Sequence, residues 1–306
     1  MTEFLVIGEC VADIVRVPGR PDVPHPGGSP ANVAYGLARL ERRTALLTQL
    51  GEDAAGELIG DHLRKAGVDL LDDGQRGVAT PTAVVTLDGD GSASYDFSVG
   101  WTLRPVLLPV APRHVHLGSI GAVCAPGAAA VLAMAERLRP YATVSYDPNV
   151  RPALFGEHDD AVARVEECVA LADVVKASDE DLAWLYPHAS VADVAARWLE
   201  MGPAAVFVTL GAKGAVAHTR THAVTGTPVA TQVADTVGAG DSFMSAALDA
   251  LADLGLTGGD ARTALGELDE AALARVLRQA GTAAALTVSR PGANPPDRAE
   301  LAVALA

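Results

Sequence analysis

Short apolar runs that alternate with stretches of helical spacing constrain this chain more than any other feature. Phe4 to Gly8, Thr44 to Leu50, His114 to Leu117, Val144 to Tyr146, Val174 to Lys176 and Ala205 to Leu210 have the length and continuity of strands buried on both faces. Between and after them, Ala31 to Leu40, Ala54 to Ala66, Gly127 to Leu138, Asp159 to Leu171, Val191 to Met201 and Ala271 to Leu286 carry helical periodicity. Strand–helix alternation predicts βαβ units, and therefore an α/β/α fold around a mainly parallel sheet. Ligands in such folds collect at the carboxyl ends of the strands.

Two segments break the alternation. Val11 to Val17 and Thr82 to Phe97 read as strands, the second pair turning at Asp88-Gly89-Asp90-Gly91 with no helix between them. They predict a separate small sheet built from about 11–24 and 80–104. No linker, repeat or low-complexity tract divides the 306 residues, so the expectation is a single domain over 1–306 with this sheet as an insert.

The chemistry concentrates at Asp235-Thr236-Val237-Gly238-Ala239-Gly240-Asp241-Ser242-Phe243. Thr231 to Ala234 reads as the end of an extended segment and Phe243 to Leu256 as a buried helix, which makes Gly238 to Gly240 that helix's first turn. Free N–H groups and the helix dipole favour an anion there, and glycine lets a phosphate come close to the backbone. Asp241, one residue past the turn, can take a proton from a hydroxyl presented at the same spot. An isolated Asp-Thr beside glycines would be no more than a helix N-terminus complemented by acids.

The nine residues together resemble the C-terminal signature of the PfkB, or ribokinase-like, family of carbohydrate kinases, whose final Asp is the catalytic base. Gly27-Gly28-Ser29-Pro30-Ala31-Asn32-Val33-Ala34 resembles the family's first signature, with Gly36, Ala38 and Leu40 continuing a closely packed helix. Gly51-Glu52-Asp53 with Gly56, Asp147 to Pro152, Thr209 to Gly214 and Ser289 to Asn294 complete the series in order, so the resemblance spans about the whole chain. The fold it implies is the ribokinase-like three-layer α/β/α sandwich with a small β-sheet lid. In the family the lid closes over the sugar, excludes water and often supplies a dimer interface, which makes a homodimer through the lid an expectation.

By the resemblance, Asp241 is the base, and Gly238, Ala239 and Gly240 form the anion hole. Asp13, Gly28 and Asn32 match the acceptor site, with Arg151 a candidate cation beside it; Phe97 or Trp101 would wall the sugar ring. Thr209, Gly211 and Gly214 resemble the nucleotide loop, with Asn294 and Ala280 to Ala284 flanking adenine. Lys176, Arg151 and Lys213 are the candidates for local positive potential. Ser178-Asp179-Glu180-Asp181 stands in the place of the family's Asn-xx-Glu motif, so Ser178 falls beside the nucleotide and Asp181 would hold Mg²⁺ through water with a shorter arm. Asp235 and the Val237 carbonyl would be the chain's share of a monovalent cation site, potassium in the family; Pro296 stands where some members offer a hydroxyl. The implied cofactors are ATP and Mg²⁺, with K⁺ as activator.

Composition narrows the partners. A net charge of −15, with 23 basic residues scattered along the chain, argues against nucleic acid as the main partner. No apolar run reaches the ~20 residues needed to span a bilayer, and no basic-then-apolar leader opens the sequence, so cytoplasmic residence without membrane attachment is expected. Cys10, Cys124 and Cys168 are odd in number and widely spaced, and read as buried thiols.

The expected reaction is in-line transfer of the γ-phosphoryl group from MgATP to a primary hydroxyl of a small sugar. Asp147 to Pro152 and Leu286 to Pro296 look most like fructokinase members, and Gly118-Ser119 falls where ribokinases carry a Glu, so fructose stands first as substrate. A 2-keto-3-deoxygluconate kinase, which would need a cation such as Arg151 or Arg104 near the lid, is the nearest rival; ribose and nucleosides follow. A catalytically silent sugar- or nucleotide-binding regulator would have lost the base or the glycines, and this chain has both.

Overall fold

A computed structural model describes residues 2–16, 21–71, 77–87 and 93–306. The strands in chain order are β1 (Phe4–Ile7), β2 (Val11–Arg16), β3 (Val23–Gly27), β4 (Thr44–Leu47), β5 (Asp69–Leu71), β6 (Thr82–Leu87), β7 (Ala93–Ser98), β8 (His114–Gly118), β9 (Thr143–Asp147), β10 (Val174–Ser178), β11 (Ala205–Thr209), β12 (Ala215–His218) and β13 (Ala223–Gly226). The helices are α1 (Ser29–Arg39), α2 (Ala54–Lys65), α3 (Ser119–Val123), α4 (Gly127–Leu138), α5 (Pro152–Phe155), α6 (His158–Leu171), α7 (Asp179–Leu185), α8 (Val191–Met201), α9 (Ala239–Asp253), α10 (Arg262–Gly266), α11 (Glu270–Val288) and α12 (Arg298–Leu305).

A nine-stranded sheet runs β13-β12-β11-β10-β9-β8-β1-β4-β5, parallel from β11 to β5 and antiparallel at β12 and β13. Side chains alternate across it. Leu5 and Ile7 point into a core with α4, α6 and α8, whereas Phe4 and Val6 point into a second core with α1, α9 and α11. Both faces being covered explains why β1 reads as an unbroken apolar run. The predicted α/β/α sandwich is the observed one.

The chain leaves β1 toward β4 and β5, then returns to place β8 on the other side of β1 and continues outward through β9, β10 and β11. The β1/β8 boundary is therefore the point where strand order reverses, and the crevice above its carboxyl ends is the natural ligand position. Gly8, Glu9 and Cys10 leave β1 at that crevice.

The small sheet has the order β3-β2-β6-β7. β2–β3 and β6–β7 are antiparallel, while β2–β6 is parallel, because the chain visits the main sheet between them. The expected turn at 88–91 lies outside the described residues, as does Val17. Sequence pattern did not reveal β3, whose Pro24 and Pro26 argue against a strand. It is an edge strand, where a missing N–H costs no ladder bond. Thr231 to Ala234 lies, without strand pairing, in an exposed stretch between β13 and α9.

None of the three cysteines is in a disulfide; Cys10 and Cys168 are buried, and Cys124 is only half-buried. Among the described residues, no helix is long and apolar enough to cross a membrane.

Candidate active site

The α9 N-terminus differs by one residue from expectation. Gly238 is the N-cap, with φ of 74°, and the first helical turn is Ala239, Gly240 and Asp241. The left-handed backbone suits glycine, and a Cβ there would stand 2.6 Å from that of Ala293. The Ser289 to Asn294 segment is thus packed directly on the start of α9. Asp235 fastens the two: its Oδ1 accepts from Val237 N at 3.0 Å and its Oδ2 from Gly292 N at 2.8 Å. These donors hold the Asp235 carboxyl below the usual carboxylate range. Gly240 lies close over the lysine below it: a Cβ there would stand 2.8 Å from Lys176 Nζ, which would have to shift.

Lys176 rises from β10 beneath that turn and is 4% exposed. Its Nζ donates to Asp147 Oδ2 at 2.8 Å. Burial alone would lower the lysine, but the carboxylates of Asp147, Asp181 and Asp241 outweigh it and hold the pKa above the ordinary value. Burial pushes Asp147 up to about 6, so the pair is ionic at neutral pH. Lys176 is therefore a fixed, buried positive charge under the helix mouth.

Asp241, 8% exposed, faces the first turn of α1. Ser29 Oγ donates to its Oδ1 at 2.7 Å and Asn32 Nδ2 to its Oδ2 at 2.8 Å. Residues three apart on a helix share a face, which lets both side chains reach one carboxylate. α1 is held there by its own sequence. A Cβ at Gly36 would collide with Ser245 of α9, so the glycine permits the two helices to approach. Gly28, at φ 97°, passes so near the β1–β2 connection that a Cβ would lie 2.7 Å from Glu9 O.

Asp13 stands on β2 opposite His25 of β3, and its carboxylate lies over Gly27, where a Cβ would strike it. Burial raises Asp13 to about 6; Arg151 opposes the rise and Asp241 adds to it. These couplings bring Asp13, Arg151 and Asp241 around one space. Arg151 itself is exposed, and its Nη1 donates to Val150 O at 2.9 Å.

Glu9 belongs to the same neighbourhood and was missed in the sequence. It is 1% exposed, accepts from Gly121 N at 2.8 Å, and is pushed up to about 7, chiefly by burial. Trp101 packs behind it, donating from Nε1 to Gly121 O at 2.8 Å. At 2% exposed, Trp101 is core and cannot wall a sugar ring, which corrects that expectation. Phe97 remains half-buried on β7.

On the other side of the crevice, Thr209 ends β11 in register with Ser178 at the end of β10. Gly211 and Gly214 both adopt positive φ, 55° and 91°, shaping the turn into β12. A Cβ at Gly211 would meet nothing within 4 Å, so that backbone is open. Asn294 is exposed at the end of the segment that covers Gly238. Within α11, Ala280 and Ala283 are buried in the core, leaving Gly281 and Ala284 as the half-buried positions.

Ser178 and Asp181 form a capping box at the start of α7. Asp181 Oδ2 accepts from Ser178 N and Oγ, at 2.8 and 2.7 Å, while Oδ1 accepts from Val150 N at 2.7 Å. The substitution of Ser and Asp for longer side chains thus closes a local network. It ties the Asp147 to Arg151 turn to β10.

A profile described as pfkB family carbohydrate kinase matches residues 1–300. A fructokinase from Klebsiella pneumoniae is 33% identical over 301 residues, 94% of each chain. The crystal structure of a Xylella fastidiosa fructokinase with bound ATP is similar at TM-score 0.87 and 28% identity, covering 100% of this chain and 98% of that one. A double-mutant fructokinase from Vibrio cholerae O395, bound to fructose, ADP and potassium, is similar at TM-score 0.83 and 28% identity, covering 100% and 99%.

Proposed function

Because the chain belongs to the pfkB family of carbohydrate kinases, we infer that it transfers the γ-phosphoryl group of ATP to a primary hydroxyl of fructose, giving fructose 6-phosphate. The observation that carries this reading is Asp241 itself: a carboxylate in the first turn of α9, at a glycine-bearing helix mouth where Ala239 N donates to Thr236 O at 3.3 Å, held by two donors from α1.

Fructose enters the space bounded by Asp13, Asn32, Gly28 and Arg151, where short polar side chains match sugar hydroxyls. Asp241 accepts the proton of the attacking hydroxyl. The N–H groups at Gly238, Ala239 and Gly240 and the buried Lys176 charge stabilise the negative charge on the transferring group. Thr209, Gly211, Gly214 and Asn294 line the nucleotide side, with Ser178 shaping it through the α7 cap.

Asp181 accepts three donors and retains one lone pair, on Oδ1, for a metal-bound water, so it fits Mg²⁺ arriving with the nucleotide; the ion would neutralise phosphate charge. Asp235 and Val237 are the candidate share of a potassium site, supported by the potassium-bound Vibrio cholerae fructokinase. The four-stranded sheet is the lid of a single domain, and its exposed edges suit a homodimer in the cytoplasm.

ADP release measured over fructose, ribose, 2-keto-3-deoxygluconate and a nucleoside, with and without potassium, tests the reading. Fructose should give the highest kcat/KM. Silence with every sugar despite measurable binding would overturn the kinase assignment in favour of a regulator.

A further inference from the structure

We propose that Ser29 is a positioning residue for the phosphoryl transfer: it holds the carboxylate plane of the base through Asp241 Oδ1. The proposal rests on Asp241 being the base. Nothing in the family resemblance gave Ser29 a role of its own, and its place in the fold is specific. It is the first residue of α1, it is 5% exposed, and its hydroxyl donates to Asp241 Oδ1 at 2.7 Å across the interface between α1 and α9.

A carboxylate held at one oxygen can still swing about that contact. Asp241 is held at both, by Ser29 on Oδ1 and by Asn32 on Oδ2 at 2.8 Å. Two donors on separate oxygens fix the plane, and with it the lone pair that meets the incoming hydroxyl. Asn32 is half-buried and keeps a carbonyl and a second N–H for the acceptor, while Ser29 is almost fully enclosed. The division of work is then clear. Asn32 serves the sugar and the base together, and Ser29 serves the base alone.

The connection to the small sheet adds a second consequence. β3 ends at Gly27, Gly28 follows at φ 97°, and Ser29 begins α1. The edge strand that presents His25 opposite Asp13 therefore continues, through a single glycine, into the residue that holds the base.

Loss of a hydrogen bond to a charged group, together with the loosened geometry, should lower kcat of Ser29→Ala about tenfold to a hundredfold. KM for fructose should stay within about twofold, because the acceptor contacts remain. Ser29→Thr, which keeps the hydroxyl, should recover most of the rate. The experiment is steady-state ADP release by wild type and both variants with MgATP and fructose, beside thermal unfolding of each.

An unchanged kcat in Ser29→Ala overturns the proposal. So does a raised KM at unchanged kcat, which would make Ser29 a sugar contact, and so does a slow Ser29→Thr. If the wild type prefers a different sugar, the fructose assignment fails, while the same three-way comparison on that sugar still decides the role of Ser29.

Discussion

Replacing Asp241 with Asn removes the base while keeping the shape of the side chain, and the structure says how the site should respond. Oδ1 continues to accept from Ser29 Oγ. The new amide takes the place of Oδ2 and faces Asn32 Nδ2, donor against donor, until the Asn32 amide turns to offer its carbonyl. If that turn is blocked, an unpaired buried donor costs about 1–3 kcal/mol. At ~2–4 °C per kcal/mol the melting temperature then falls by no more than roughly 12 °C, and with the turn hardly at all. The rate effect is larger. General-base catalysis contributes ~10²–10⁴-fold, so kcat should fall by that factor, equivalent to about 3–5 kcal/mol in the barrier. KM for the sugar should hold within about threefold, since an interaction with the departing proton belongs to the transition state. ADP release at saturating ATP and fructose, beside nucleotide binding by calorimetry, measures both. A variant with more than a tenth of wild-type kcat and normal ATP affinity would refute the assignment of Asp241 as base.

Lys176→Met leaves the Asp147 carboxylate buried with, among the described residues, only the Asn149 N–H as partner, which should cost about 3–5 kcal/mol in urea unfolding. Adding Asp147→Asn should restore most of it, and a double variant as unstable as the single one would contradict the pairing. Glu9 has its folded pKa raised from 4.5 to about 7, so its contribution to stability is fully present below pH ~4.5 and is lost as pH rises to about 7. Glu9→Gln, which can still accept from Gly121 N, should therefore gain on the wild type by about 3 kcal/mol across that window. Parallel Tm–pH curves for the two proteins would show that Glu9 is not held as described.

The parallel sheet was legible because both faces of β1, β4, β8 to β11 are covered, and double burial writes itself as continuous apolar runs. Helix limits came close for the same reason: α4 and α8 agree at both ends, since each buries an apolar face in the same core. β3, β5, β12 and β13 escaped notice. They are short, lie at sheet edges or next to them, and bury too little on either face to impose a pattern. Trp101 was misjudged because an aromatic beside a glycine looks the same in sequence whether it lines a pocket or packs behind one. Its burial and its hydrogen bond to Gly121 O distinguish them.

By itself the sequence determined the layered α/β plan and the glycine-bearing helix mouth with Asp241 behind it. Those depend on local spacing, backbone freedom and periodicity, all of which are properties of neighbouring residues. The tertiary structure decided which distant side chains share one charge. Ser29 and Asn32 meet Asp241 from more than 200 positions away, and Lys176 becomes a buried cation through Asp147. It also settled that Glu9, unremarkable in the sequence, is an acid held up by burial. Such partnerships follow from strand order and helix packing, and no local pattern encodes them.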